Sequence, residues 1–209
     1  MTASSTAKQV YDGLVLPAAI SGHPGLELCN TVAGWGDEDP YDYLQGYEHV
    51  VALAASLGLV DGERAVGLRR AAEDDPRPAH RVLAETRRFR SSLYAVLTQD
   101  RPDEGDVRRV ARTFATAASA RTLEHVGSWG SRWHFPADLG LRVPLLALAW
   151  QARALVEADE QRQVGRCPGI GCGWLFINQT GRRRWCVMSI CGNRAKARRF
   201  ARRHAQDGP

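Results

Sequence analysis

The sequence of 209 residues has no apolar run long enough to cross a membrane. Its longest run, VPLLALAW from Val143 to Trp150, is far shorter than the roughly 20 residues that span a bilayer. The first 22 residues hold one lysine and then Asp12, where a signal peptide needs an uninterrupted apolar core. We therefore expect a cytoplasmic protein with no membrane partner.

Motifs of the common enzyme classes are also missing. The sequence contains no G-x-S-x-G, Walker loop or dinucleotide fingerprint, and it has no internal repeat or low-complexity segment. We therefore expect no enzymatic activity, although a catalytic or small-molecule-binding N-terminal domain stays open as an alternative.

Acidic residues are nearly absent from one end of the chain. Residues 162–209 contain 11 Arg and Lys against one acid, Asp207, a formal charge of +10, whereas the first 161 residues carry −5. The composition, with 44% hydrophobic and 24% charged residues, is that of a soluble globular protein. The asymmetry predicts one basic face rather than a protein that is basic all over.

The apolar spacing before this basic end predicts a mainly helical domain with a small β-hairpin. A short helix is expected after His23-Pro24, and three longer ones follow around residues 44–57, 79–97 and 103–114. Thr, Val and Trp around Gly127 and Gly130 indicate the hairpin, and a last long helix has Pro144 in its first turn. We predict a flexible lead-in over 1–21, the α+β domain over 22–161 and a separate module over 162–209.

Four of the five cysteines lie in that module, with the spacing C-x4-C-x13-C-x4-C. Clustered thiols in a reducing compartment favour a metal site over disulfides, and four thiolates suit tetrahedral Zn²⁺, with iron as the competitor. Pro168, Gly169 and Gly171 fit a tight knuckle, GWLFINQTGRRRW a short hairpin, and the residues after Asn193 a helix. This order predicts a treble-clef-like zinc finger. Its ligands are Cys167, Cys172, Cys186 and Cys191.

Basic side chains surround the predicted finger and form a patch suited to phosphate contacts. We expect Phe200 to anchor the last helix on the hairpin, with the arginines facing outward. Trp174 and Trp185 are expected in the finger's small core, with base stacking as the alternative, and Asn193 is expected to have a structural role. The predicted nucleic-acid-binding residues are Arg182, Arg183, Arg184, Asn193, Arg194, Lys196, Arg198, Arg199, Arg202 and Arg203.

Several of these segments resemble a known pair of domains. CGWLF, RRWC and CGNRAKARR are similar to the CGNR zinc finger, named for Cys191 to Arg194, and LELCNTVAGW resembles the Asn-Thr motif of the ABATE domain. The resemblance implies a bacterial transcription regulator, described as stress-induced, with a helical N-terminal domain and a DNA-binding finger. It places Asn193, Arg194 and Lys196 at signature positions.

The N-terminal domain is expected to sense a ligand or to form a homodimer. Asn30, Thr31 and Trp35 are a candidate ligand pocket, to which Trp129, Trp133 and His134 add further groups; alternatively, the first two lock a turn and the tryptophans fill the core. An effector or partner would then reorient the finger on DNA. The alternatives are an RNA-binding, protein-interaction or purely structural finger.

Overall fold

A computed structural model describes residues 7–99, 101–127 and 130–206. Helices dominate these residues, and their strands form two-stranded antiparallel sheets, which confirms the predicted mainly α fold with small β elements. The helices are α1 (Pro24–Cys29), α2 (Tyr47–Ser56), α3 (Gly62–Asp74), α4 (Pro76–Thr98), α5 (Glu104–Ser119), α6 (Val143–Ala152), α7 (Ala158–Gln161) and α8 (Asn193–Gln206). The strands are β1 (Lys8–Tyr11), β2 (Leu14–Pro17), β3 (Val32–Ala33), β4 (Tyr41–Asp42), β5 (Thr122–His125), β6 (Ser131–His134), β7 (Val164–Arg166) and β8 (Leu175–Ile177).

Local signals in the sequence set several helix ends. Asp103 caps α5, because its Oδ1 accepts from the backbone amide of Gly105 at 2.6 Å. His23 caps α1 through Nδ1, which accepts from Gly25 N at 3.1 Å. Gly58, with φ +69°, follows the end of α2 in the left-handed conformation that glycine adopts freely. Helix α3 was not predicted, since its sequence is polar on most sides.

Helix α6 lies at the centre of the helical part. Its apolar side chains are buried except that of Trp150, which is half-buried, and it packs against α1, α2 and α5, as expected for a helix that is hydrophobic on nearly every face. Together with its flanking 3-10 turns it forms the stretch Ala137–Val156, which is long and apolar enough to cross a membrane by length and composition. A buried core helix meets the same test, and Leu145, Leu146 and Leu148 are fully buried.

The N-terminal segment corrects one prediction. Residues 1–21 were predicted to be a flexible lead-in, but within the described part of this segment strands β1 and β2 form an antiparallel hairpin in which Val10 pairs with Val15. Asp12 and Gly13 make its two-residue turn, with φ values of +51° and +77°. Asp-Gly between apolar residues is a strong hairpin signal, so this turn is visible in the sequence beside the break that Asp12 makes in an apolar run.

The strand pairing of the finger corrects a second prediction. The sequence predicted a hairpin between the two cysteine pairs, with its turn near Gly181. Instead β8 pairs with β7, from Val164 opposite Ile177 to Arg166 opposite Leu175, so the first cysteine pair lies in the hairpin's connection. The segment 181–187 carries no strand, and the backbone amide of Arg183 within it donates to the Oδ1 of Asn178 at 2.9 Å.

Candidate metal centre and nucleic-acid interface

The four C-terminal cysteines converge on one point. The Sγ atoms of Cys167, Cys172, Cys186 and Cys191 all lie within 4.8 Å of one another, and all four side chains are buried. The Sγ of Cys186 is 3.5 Å from those of Cys172 and Cys191. A tetrahedral centre with metal–sulfur bonds of about 2.3 Å has sulfur–sulfur edges of about 3.8 Å. The four cysteines are therefore positioned to bind a metal ion.

The knuckle between the first two cysteines is built for close approach. A side chain at Gly169 would put its Cβ 3.1 Å from the Sγ of Cys191 and 3.4 Å from that of Cys167, so any larger residue there would push against the converging sulfurs. Gly171 has φ +66°, in the left-handed region, and the amide of Cys172 donates to the carbonyl of Gly169 at 3.1 Å. The knuckle turns as its glycines predict.

The close packing of sulfurs also controls their protonation. Hydrogen bonding from Cys172 and its neighbours lowers the pKa of Cys167, whereas hydrogen bonding with Cys167 raises the pKa of Cys186. Four thiolates this close repel one another. A bound divalent cation supplies the positive charge that lets all four ionise together.

Arg183 was predicted to face nucleic acid, and it points inward instead. Its Nη2 donates to the carbonyls of Ile20, at 2.7 Å, and of Cys186, at 2.6 Å. Its guanidinium lies 4.5 Å from the centroid of the Phe176 ring, close enough for a cation–π contact. Arg183 therefore ties Cys186 to the N-terminal segment, and its donors stabilise the fold.

The aromatic residues of the finger form its core. Trp174 is fully buried and its Nε1 donates to the carbonyl of Val32 at 2.8 Å. Trp185 is partly buried against the cluster that contains the cysteines, Phe176 and Tyr43. These tryptophans occupy the core that the sequence analysis expected, and Tyr43 and Val32 show that residues of the helical part complete it.

The helical part also completes the finger's sheet. Asn30 is fully buried, and its side-chain amide donates to the carbonyl of Leu175 at 3.0 Å and accepts from its amide at 2.8 Å. The carbonyl of Ser21 accepts from the amide of Ile177 at 2.8 Å. On the edge of β8 away from β7, these groups stand in for a third strand. The Asn-Thr motif thus binds the finger to the helices.

Thr31 and Asn30, predicted to line a ligand pocket, are both fully buried and hydrogen-bonded to other groups of the protein. The Oγ1 of Thr31 donates to the carbonyl of Leu28 at 2.7 Å and accepts from Nη1 of Arg90 at 2.9 Å. Arg90 in turn forms two hydrogen bonds with the carboxylate of Asp42, at 2.6 and 2.8 Å. The threonine locks a turn, which is the alternative that the sequence left open.

Trp35, the third predicted pocket residue, packs between the helices and the knuckle. Its ring stacks on Tyr94 with centroids 3.9 Å apart, and its Nε1 donates to the carbonyl of Cys29 at 2.9 Å. The Tyr94 hydroxyl donates to the carbonyl of Gly173 at 2.8 Å. A Cβ at Gly173 would lie 2.7 Å from the Cβ of Trp35. Both aromatic side chains therefore fix the knuckle on α4.

A cavity does occur in the helical part, in a different place. It has a volume of about 280 Å³ and lies between α2, α3 and α4, where Glu48, Arg69, Glu73, His80 and Leu83 line it. Of the other residues proposed for a pocket, Trp133 is exposed on β6 and His134 is half-buried, while Trp129 lies outside the described residues.

Helix α8 begins at Asn193, as predicted, but three of its side chains depart from the expected orientation. Phe200 was expected to anchor the helix, yet 65% of its surface is exposed. Arg194 and Arg198 were expected outside, and both are half-buried. Of the described elements, the π-helical turn Met188–Gly192 is the main contact of α8. The prediction relied on the apolar character of phenylalanine, whereas the ring of Phe200 lies at the surface beside that of His204.

The outward face of α8 is cationic and regularly spaced. Lys196, Arg199, Phe200 and Arg203 are all exposed and follow one another at i, i+3, i+4 and i+7, so they share one side of the helix. This periodicity is visible in the sequence and could have identified the face. Of the predicted nucleic-acid-binding residues, those with exposed side chains are Arg182, Arg184, Asn193, Lys196, Arg199, Arg202 and Arg203.

Asn193 lies between the metal cluster and this face. Its Nδ2 donates to the carbonyl of Ser189 at 3.1 Å, in the π-helical turn that carries Cys191. The bond links the start of α8 to the segment before it, in agreement with the structural role expected for this asparagine.

Comparison with known protein families matches both parts of the chain. Residues 22–159 match the ABATE family, described as "Putative stress-induced transcription regulator", and residues 163–204 match the CGNR zinc finger. No curated protein matches the chain. The first match covers more than half of the sequence and includes Asn30, Thr31 and Trp35; the second includes the four cysteines and most of α8. The chain therefore belongs to the ABATE family and carries a CGNR zinc finger after its helical domain.

Proposed function

We propose that this protein is a zinc-dependent transcription regulator that binds duplex DNA through α8. The family description supports regulation of transcription, and the four converging cysteines support a metal-stabilised finger. The observation that carries the proposal is the outward face of α8, which presents Lys196, Arg199 and Arg203 on a helix that projects from the finger. The helix has 14 residues, and the diameter of an α-helix, about 10–12 Å with its side chains, fits the roughly 12 Å width of a B-DNA major groove.

The metal in this proposal is Zn²⁺, and its role is structural. Four buried thiolates satisfy a tetrahedral ion and leave no position for water or substrate. Cys186 precedes the turn that leads into α8 and Cys191 lies within that turn, so the ion sets the direction in which the helix leaves the finger. Elemental analysis of the purified protein separates zinc from iron, which also accepts four thiolates.

The helical domain serves in this proposal as the platform of the finger. Hydrogen bonds from Asn30, Ser21 and Tyr94 hold β8 and the knuckle, and Trp174 is buried against β3. These contacts support a fixed orientation of the finger rather than the reorientation expected from the sequence. An effector, if the protein has one, would find room in the cavity between α2, α3 and α4.

A binding competition among nucleic acids tests the proposal. The zinc-loaded full chain is offered a pool of random duplex DNA, with single-stranded DNA, hairpin RNA and an acidic polypeptide as competitors. We expect enrichment of a duplex sequence that the competitors displace poorly. We also expect Arg199→Ala to weaken binding, whereas Arg70→Ala, an exposed arginine on α3, leaves it unchanged. Preferential displacement by RNA or by the acidic polypeptide would contradict the proposal and support the alternative partners.

A further inference from the structure

Phe200 occupies an unusual place on the surface of the protein. Single exposed apolar residues are common and need no explanation. This ring, however, lies in the middle of the cationic face of α8, with Lys196 four residues before it, Arg199 adjacent and Arg203 three residues after it. Its ring meets that of His204 edge to face, with the centroids 4.2 Å apart.

The side chains on this face differ in length, so they can reach different parts of a DNA groove. Lysine and arginine reach beyond a phenyl ring and can spread sideways to the phosphates on either side of a groove. The shorter ring between them then faces the floor of the groove. In the major groove of B-DNA, the apolar group on that floor is the 5-methyl group of thymine, which apolar side chains contact.

We propose that Phe200 is a specificity-determining residue that contacts the 5-methyl group of thymine in the major groove. This inference rests on the proposed function, since it assigns one base contact to the DNA-binding face. The cations around Phe200 would contribute affinity that is independent of sequence, and Phe200 would favour thymine at one position of the site.

A second copy of the chain is the other candidate partner for an exposed phenylalanine. Charge argues against it, because pairing two such faces would bring six cations together, three from each helix. The polyanionic groove has the opposite charge, so it can bury the same ring while the flanking cations are neutralised.

The test compares thymine with deoxyuridine, which differs only by the 5-methyl group. Duplexes of the sequence enriched by the full chain are made with each thymine replaced in turn. For the unaltered protein we expect one replacement to weaken binding about fourfold, the effect of one buried methyl group. Phe200→Ala should bind the thymine duplex more weakly and lose the preference, while its salt dependence stays the same. Arg199→Ala should keep the preference and lower the salt slope by about 1.

The remaining outcomes are each informative. Equal weakening of thymine and deoxyuridine duplexes by Phe200→Ala would overturn the methyl contact, as would unchanged binding by this variant. A concentration-dependent dimer that disappears in Phe200→Ala would show that the ring pairs with a second copy, which also overturns it. Failure of the unaltered protein to bind any duplex would instead refute the proposed function. Because Phe200 is exposed, the circular dichroism spectrum of Phe200→Ala should match that of the unaltered protein.

Discussion

Substitution of Asn30 by aspartate should make the stability of the protein depend on pH. The two side chains have the same shape, but aspartate replaces the amide that donates to the carbonyl of Leu175 with an oxygen. When protonated, the new side chain can both donate to the carbonyl and accept from the amide of Leu175, as Asn30 does. When it is ionised, a carboxylate oxygen lies against the carbonyl oxygen of Leu175 with no proton to share. Because the site is fully buried, no water can relieve the repulsion between these two oxygens.

The magnitude follows from the burial of the site. Desolvation raises the pKa of a fully buried carboxyl by about 3 units or more above its unfolded value of about 3.9. Because the folded pKa is the higher one, the variant is close to native stability below about pH 4 and loses stability as pH rises. The loss is about 1.4 kcal/mol per pH unit and reaches about 4 kcal/mol near pH 7. This corresponds to a decrease in Tm of roughly 8 to 16 °C.

Urea unfolding of the metal-loaded proteins at pH 5.5, 6.5 and 7.5 measures this effect. Other titrating groups cancel in the difference between the variant and the unaltered protein. Asn178→Asp is the matched control, because its Oδ1 accepts from the amide of Arg183 and a carboxylate can accept the same bond. A difference for Asn30→Asp that does not grow with pH, or that equals the control, would refute the assignment of Asn30 as the group that completes β8.

Three further predictions concern the joint between the two domains. Chelation of the metal should lower the Tm of the whole chain by about 10 °C or more, because the cysteines share a core with residues of the helical part, and calorimetry of the metal-loaded protein should show one transition. A separate unfolding transition of the helical part that the chelator does not shift would contradict this shared core. Gly173→Ala should cost about 1 to 3 kcal/mol in urea unfolding, because its φ is +71° and its Cβ would meet Trp35; an unchanged midpoint would contradict this packing. Arg183→Lys should weaken metal affinity about tenfold in a chelator competition, whereas exposed Arg184→Lys should not; equal affinities would remove Arg183 from the support of Cys186.

Local features of the sequence were sufficient for much of this structure. The spacing of the four cysteines predicted their convergence, and Asp103 and Gly58 marked helix ends through interactions with immediate neighbours. Glycines in the knuckle likewise predicted a tight turn, which depends on backbone freedom at single positions. In each case the cause lies within a few residues of the effect.

The features that escaped prediction depend on distant parts of the chain. Asn30 bonds with Leu175, 145 residues away, and no local pattern distinguishes this partner from a ligand. The same holds for Arg183, whose basic side chain indicates a surface position until Ile20 and Cys186 are placed beside it. The prediction for Phe200 was wrong for the opposite reason. It expected the ring to pack on a hairpin of the finger, but the ring is 65% exposed.

The salt dependence of DNA binding tests the central claim most directly. Binding of the enriched duplex is measured at salt concentrations from about 50 to 300 mM, a range over which counterion release changes affinity strongly. The proteins compared are the unaltered protein, Arg199→Ala, Arg203→Ala and Arg70→Ala. If the outward face of α8 contacts phosphates, each substitution on it should reduce the slope of log affinity against log salt by about 0.9, and Arg70→Ala should leave the slope unchanged. Equal slopes for all four proteins would contradict the assignment of this face to DNA.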